Sequence, residues 1–308
     1  MRTFRSLPSR FRQQSSNAAL RHYNSPSNPS RTIVFPKRII ICRHGESKGN
    51  VSDSAYVTTP DWLIPLSPKG VLQSTALAHN IKRIVGDESL YFYTSPYLRT
   101  KQTTNEMLNL MKPQTLGVRE EPRLTEQQFG NFQNVVDVRE QKSERIKYGR
   151  FYYRFPLGES GLDVYNRASS FINTLYRDFE DEDIVKDENT NIVIVCHGLT
   201  MRLLLLRFFH FTVTDFERSE NIDNAKYVIM ERLEQKKIKR KKRGVFQLNE
   251  NSLKLLKFPP NKLDEDQEAQ VSQKGVNELM KEMRRAGLSS LSDPAEHIKY
   301  WTKKPFGL

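Results

Sequence analysis

The chain has 308 residues, 37% of them hydrophobic and 28% charged, enough apolar material for one sizeable core with appendages. Its longest apolar runs fall far short of the roughly 20 residues a bilayer-spanning helix needs, which excludes a helical membrane protein and leads us to expect a soluble one. The formal charge of +13 comes from two short stretches, six arginines before residue 37 and seven basic residues between Lys236 and Arg243, so the rest is balanced and the excess says little about what the core binds.

Residues 1–36 hold Arg2, Arg5, Arg10, Arg12, Arg21 and Arg31 among serines and prolines, with no Asp or Glu. That composition fits a cleaved organellar transit peptide or a disordered basic arm equally well, because Pro8 interrupts the only amphipathic turn, Phe4, Leu7 and Phe11. No apolar segment of the secretory kind follows. A cytoplasmic location is expected, with mitochondrial import through this arm as the alternative.

The run Ile39-Ile40-Ile41-Cys42 then stops at Arg43-His44-Gly45-Glu46-Ser47. Continuous apolar residues bounded by charge predict a buried parallel strand, whose carboxyl end is where open α/β sheets keep their ligands. A histidine there, with an ordinary pKa near roughly 6.5, is mostly neutral at neutral pH and available as a nucleophile. Arg43 presents a fork of donors that suits phosphate or carboxylate. Gly45 is expected to let the backbone approach whatever His44 attacks. Taken alone, the tripeptide is better read as an ordinary strand-to-loop transition.

A loop over 47–65 leads to a helix capped by Ser67 with Pro68 at its first position. A strand over 90–94 precedes a helix expected to open at Ser95-Pro96 with the same cap chemistry. After an insert over 134–155, a helix starts near Gly158-Glu159-Ser160, with Ser160 as cap and Asp163 three residues on. Its Val164, Ala168, Phe171, Ile172 and Leu175 recur at helical spacing. A strand over 191–196 and a helix over 199–209 follow. Strands over 226–233 and 245–248 flank the basic run 236–243, which reads as a solvated hairpin tip or as a contact for an anionic partner. Beyond 250 the chain is charged, with a helical composition over 263–288 and a tail to residue 308. Alternating strands and helices predict an α/β fold, a three-layer α/β/α sandwich on a mostly parallel sheet spanning 37–250. Cys42 and Cys196 are expected as buried free thiols, and zinc-type His/Cys spacing is absent, so no metal or other cofactor is expected.

Six stretches, in order, resemble the signatures of the histidine phosphatase superfamily, the phosphoglycerate-mutase-like proteins. They are Arg43-His44-Gly45-Glu46-Ser47, Leu66-Ser67-Pro68-Lys69-Gly70, Ser95-Pro96-Tyr97-Leu98-Arg99-Thr100, Leu124-Thr125-Glu126-Gln127-Gln128-Phe129-Gly130, Pro156-Leu157-Gly158-Glu159-Ser160 with Asp163 and Arg167, and Val195-Cys196-His197-Gly198. The resemblance implies a phosphoglycerate-mutase-like fold and a metal-independent, acid-type phosphatase acting on small phosphomonoesters through a phosphohistidine. It makes His44 the nucleophile and Glu126 the general acid, with Arg43, Asn50, Arg99 and His197 binding the phosphate. Glu159 is expected to line or brace the pocket.

The mutase branch carries a threonine-glycine pair soon after the first motif and an arginine directly after the acid. Here those places read Ala55-Tyr56-Val57-Thr58-Thr59-Pro60 and Gln127, and longer stretches resemble a plant and fungal phosphatase-like subgroup. A phosphomutase and a catalytically idle binding or scaffold module remain the alternatives. The insert is expected to cap the pocket. Its Arg145, Arg150 and Arg154, among Tyr148, Phe151, Tyr152 and Tyr153, suit either a second anionic group on the substrate or a packing face. Oligomeric state is left open.

Overall fold

A computed structural model of the chain describes residues 34–130, 135–233 and 245–256. The basic arm up to residue 33, the basic run 236–243 and the expected helix over 263–288 lie outside the described residues.

The apolar runs form strands β1 (Arg38–Arg43), β2 (Leu90–Thr94) and β4 (Asn191–Cys196), with β3 (Thr115–Glu120), β5 (Tyr227–Arg232) and β6 (Phe246–Leu248) completing a sheet of order β3-β2-β4-β1-β5-β6. The first four are mutually parallel, whereas β5 runs antiparallel to both β1 and β6. The mixed sheet is flanked by helices, an α/β fold as expected.

Period-two alternation assigns each strand residue to one of two cores. Ile40, Cys42, Leu90, Phe92, Val193 and Val195 pack with α3 (Pro68–Val85) and α4 (Leu98–Met111) through Leu77, Ile81, Met107 and Met111. Ile39, Ile41, Tyr93, Ile192 and Ile194 pack with α6 (Gly161–Asp178) and α7 (Gly198–Phe209) through Phe171, Leu175, Met201 and Leu204. Cys42 and Cys196 are both free and buried, one in each core.

Three local expectations are corrected. The stretch 47–65 is not a bare loop: it holds α1 (Lys48–Val51), α2 (Ser54–Thr58) and a 3-10 turn at Asp61–Leu63, pieces too short to show a hydrophobic period. β3 was invisible as a strand because it lies at the sheet edge, exposing Leu116, Val118 and Glu120 while carrying a glycine and two charges. Helix α4 begins at Leu98 rather than Ser95-Pro96 and has no side-chain cap, because the Ser95 hydroxyl is turned to a histidine described below.

The insert forms α5 (Val135–Tyr148) and an irregular segment leading to the Ser160 cap, whose reciprocal bonds with Asp163 form as expected. A short helix α8 (Val213–Arg218) follows α7. The folded unit also runs past residue 250: α9 (Glu250–Leu256) packs on β5, with the Ile229 amide donating to the Ser252 hydroxyl at 2.8 Å and Leu256 fully buried. Among the described residues, no helix is long and apolar enough to cross a membrane.

Candidate active site

Because β1 and β4 are parallel neighbours with Arg43 opposite Cys196, the chain leaves both strands at the same level, placing His44 beside His197. The His44 amide donates to the Cys196 carbonyl at 3.1 Å, and the two imidazole centroids are 5.1 Å apart with ring planes at 64°. β2 ends on the other side of β4. There the Ser95 amide donates to the Val195 carbonyl at 3.0 Å, and the Ser95 hydroxyl lies 2.8 Å from His197 Nε2. The chain departs from β1 toward β2 on one face and returns through β4 between them, a switch point of the kind at which open sheets bind ligands. Helix α7 begins at this edge, directing its unpaired amides and positive dipole end toward it.

His44 is buried, and its Nδ1 lies 2.6 Å from the Gly45 carbonyl. A carbonyl oxygen only accepts, so Nδ1 carries the proton and the lone pair is on Nε2. Burial, then the charges of Arg99 and Arg43, hold this imidazole well below its ordinary pKa and keep it neutral. His197 is fully buried and depressed by burial, then by Arg99, His44, Arg167 and Arg43. Its Nδ1 has no hydrogen bond among the described residues.

Gly45 is required by packing. A Cβ there would lie 2.3 Å from the Gly70 carbonyl oxygen and 2.5 Å from Ser74 Oγ, so the glycine admits helix α3. Gly70 answers it, since a Cβ there would lie 1.9 Å from the Glu46 carbonyl oxygen. Glu46 closes the junction, accepting from the Ser67 hydroxyl at 2.8 Å and from Lys69 at 2.9 Å.

Arg43 is half-buried; Nη1 donates to the Ile222 carbonyl, and its buried Nε has no partner among the described residues. Arg99, on the first turn of α4, is buried and paired through Nη1 with Asp61 on the 3-10 turn at 2.8 Å. Sequence reasoning missed Asp61 and read Ser95 only as a helix cap, because the contacts of both with the site are created by the fold. Asn50, expected to offer a donor to phosphate, is exposed, and it is its side-chain oxygen that is engaged. Its Oδ1 accepts from the Ser47 amide and hydroxyl, each at 3.0 Å, and from Asn224 Nδ2 at 3.1 Å, forming the α1 capping box.

Glu126 follows the β3 edge on the far side of β2. Its Oε1 accepts from the Gln127 amide at 3.1 Å and the Thr200 hydroxyl at 3.3 Å, the latter from the first turn of α7. The loop is held from beneath by Arg167 on α6, which donates to the carbonyls of Arg123, Thr125 and Glu126 at 2.8, 2.7 and 3.0 Å. Glu159 grips the same guanidinium with both oxygens at 3.0 Å and accepts from the Gln128 amide at 3.1 Å, so it braces the loop that carries Glu126.

The three arginines of the insert diverge. Arg154 pairs with Asp163 at the surface, and Arg150 donates to the Ser219 carbonyl at 3.3 Å. Arg145 lies over the Phe155 ring at 5.7 Å, its buried Nε without a partner among the described residues. Helix α5 is tied to α2 by Lys142, which pairs with Asp53 and sits 5.2 Å from the Tyr56 ring.

Two histidines at adjacent parallel strand ends, two arginines and a carboxylate thus line one edge of an α/β sheet. The model of the histidine phosphatase superfamily (branch 1) matches residues 39–242, and the chain belongs to that superfamily. It is 42% identical over 210 residues to the phosphoglycerate mutase-like protein AT74H of Arabidopsis thaliana, covering 64% of this chain and 75% of that one. It is 27% identical over 295 residues to the broad-range acid phosphatase DET1 of Saccharomyces cerevisiae, covering 67% of this chain and 88% of that one. Among solved structures, a mycobacterial glucosyl-3-phosphoglycerate phosphatase with inorganic phosphate superposes with a TM-score of 0.54 at 18% identity, over 69% of this chain and 95% of that one. At that identity the likeness is one of fold.

Proposed function

We propose that this protein hydrolyses small phosphomonoesters without a metal, through a phosphohistidine on His44. The observation that carries the reading is the state of that imidazole: neutral, protonated on Nδ1 toward the Gly45 carbonyl, and held against His197 between Arg43 and Arg99. In the first step the Nε2 lone pair attacks phosphorus, the ester P–O bond breaks, and the leaving oxygen takes a proton from Glu126. The Gly45 carbonyl then faces the positive imidazole ring of the intermediate. In the second step Glu126, now a carboxylate, takes a proton from water as that water attacks phosphorus. The Nε2–P bond breaks and phosphate leaves. Charge on the three phosphoryl oxygens is met by Arg43, Arg99, His197 and the amides opening α7. Asn50 joins them through its amide nitrogen, which makes no hydrogen bond among the described residues.

The broad-range acid phosphatase activity named for the yeast relative supports this direction. The test is release of inorganic phosphate from an aryl phosphate in the presence of chelator. His44→Ala is expected to lose all turnover and Glu126→Gln about 10²- to 10⁴-fold. Quenching during turnover with alkaline denaturant, which preserves the acid-labile N–P bond, should trap phosphate on the wild-type chain and none on His44→Ala. Undiminished turnover in His44→Ala refutes the mechanism, and conversion of substrate to an isomer without phosphate release would make the protein a phosphomutase instead.

A further inference from the structure

The most telling contact outside the proposed chemistry is the one that restrains Arg99. Nη1 donates both to the main-chain carbonyl of Asp61 at 2.7 Å and to its Oδ1 at 2.8 Å. The guanidinium also lies over the Tyr97 ring, 4.8 Å from its centroid, which fixes its plane. Its side chain is 3% exposed and that of Asp61 24%, so this is an ion pair walled in by protein, not a surface pair that water would loosen. Both hydrogens of Nη1 are therefore engaged, while Nε and Nη2 make no hydrogen bond among the described residues. Those two nitrogens form the side-on edge of the fork, the edge that grips two oxygens of one phosphate.

The segment that follows the turn carrying Asp61 is anchored to α4. The Leu66 amide donates to Gln102 Oε1 at 2.8 Å, three residues beyond Arg99 on the same helix. Arg99 is also the strongest charge acting on both buried imidazoles, so whatever offsets that charge acts on the site as a whole.

We propose that Asp61 is a positioning residue for the reaction. It locks the guanidinium of Arg99 so that the Nε/Nη2 edge faces the phosphoryl group, and its charge moderates the hold on product phosphate. The inference rests on the function proposed above, since it takes Arg99 as a phosphate ligand.

The experiment compares Asp61→Ala, Asp61→Asn, Arg99→Ala and His44→Ala in one aryl phosphate assay, with inhibition by inorganic phosphate and thermal unfolding of each variant. Loss of the lock in Asp61→Ala should lower kcat about 10- to 100-fold, because a misplacement near 1 Å can cost about 10². Asp61→Asn keeps an oxygen toward Nη1 but loses the charge. It should hold kcat within about threefold while phosphate inhibits several-fold more tightly. Folded Asp61 variants with kcat and phosphate inhibition within twofold of wild type, beside an inactive Arg99→Ala, would reduce Asp61 to a loop anchor and leave the site reading intact. Should Asp61→Ala fail to fold, unchanged phosphate inhibition in Asp61→Asn overturns the proposal by itself. Wild-type turnover in His44→Ala and Arg99→Ala removes the site reading and this inference together.

Discussion

At the scale of single residues, the site depends on two imidazoles kept neutral by burial and by arginines. The same depression couples them to stability. Folded, each resists protonation below its ordinary pKa; unfolded, each takes a proton near pH 6.5. Below that pH the unfolded chain binds more protons, so stability is fully present above about pH 6.5 and falls as the solution becomes more acidic. The carboxylates whose pKa is lowered, Glu46, Asp87, Glu88, Glu121 and Asp163, add losses of the same sign only below their ordinary values of 4.5 or less, leaving a window that belongs to the histidines. Unfolding free energies from urea titrations between pH 7.5 and 5 should decline for the wild type by up to about 1.4 kcal/mol per pH unit for each such group. His44→Asn and His197→Asn should each flatten that decline. Parallel losses in all three proteins would mean that the imidazoles are not held neutral.

At the scale of elements, the geometry of the candidate site is a matter of how one loop meets one helix. The loop after β1 and the first turn of α3 approach so closely that neither Gly45 nor Gly70 has room for a Cβ, and at Gly70 the obstacle is backbone, which cannot swing aside. Gly70→Ala is therefore expected to cost about 1–3 kcal/mol by overpacking and to displace the His44 loop, lowering turnover more than a stability loss alone would. Thermal unfolding together with kcat on the folded fraction checks this; a variant that is stable and fully active would show that the contact yields easily. The loop that carries Glu126 follows the same logic with a different device. It has no regular structure of its own, and Arg167 takes up three of its carbonyls, so an α6 side chain holds its backbone.

At the scale of the molecule, one sheet divides two cores, and β1, β2 and β4 contribute to both. Damage on either face should then appear in the same transition. Phe92→Ala on the α3/α4 side and Phe171→Ala on the α6 side, both fully buried, are each expected to cost about 3–5 kcal/mol. Each should shift a single cooperative urea transition followed by far-UV and near-UV circular dichroism. Separation of the two probes in one variant alone would show that the layers unfold independently.

The sequence by itself determined the apolar strands, the Ser67 and Ser160 caps and the α/β class, and it singled out His44, His197, Arg99 and Glu126 as candidates. Each of these leaves a local mark: a continuous apolar run, a cap residue at fixed offset, a short motif. Tertiary structure alone decided which groups meet. Ser95 stands opposite His197, Asp61 engages Arg99, and Arg167 holds the loop that carries Glu126. Those pairings join residues up to 102 positions apart through strand register and helix packing. No local pattern records them, because a hydrogen bond between distant segments constrains one side chain on each and leaves every periodicity around it unchanged.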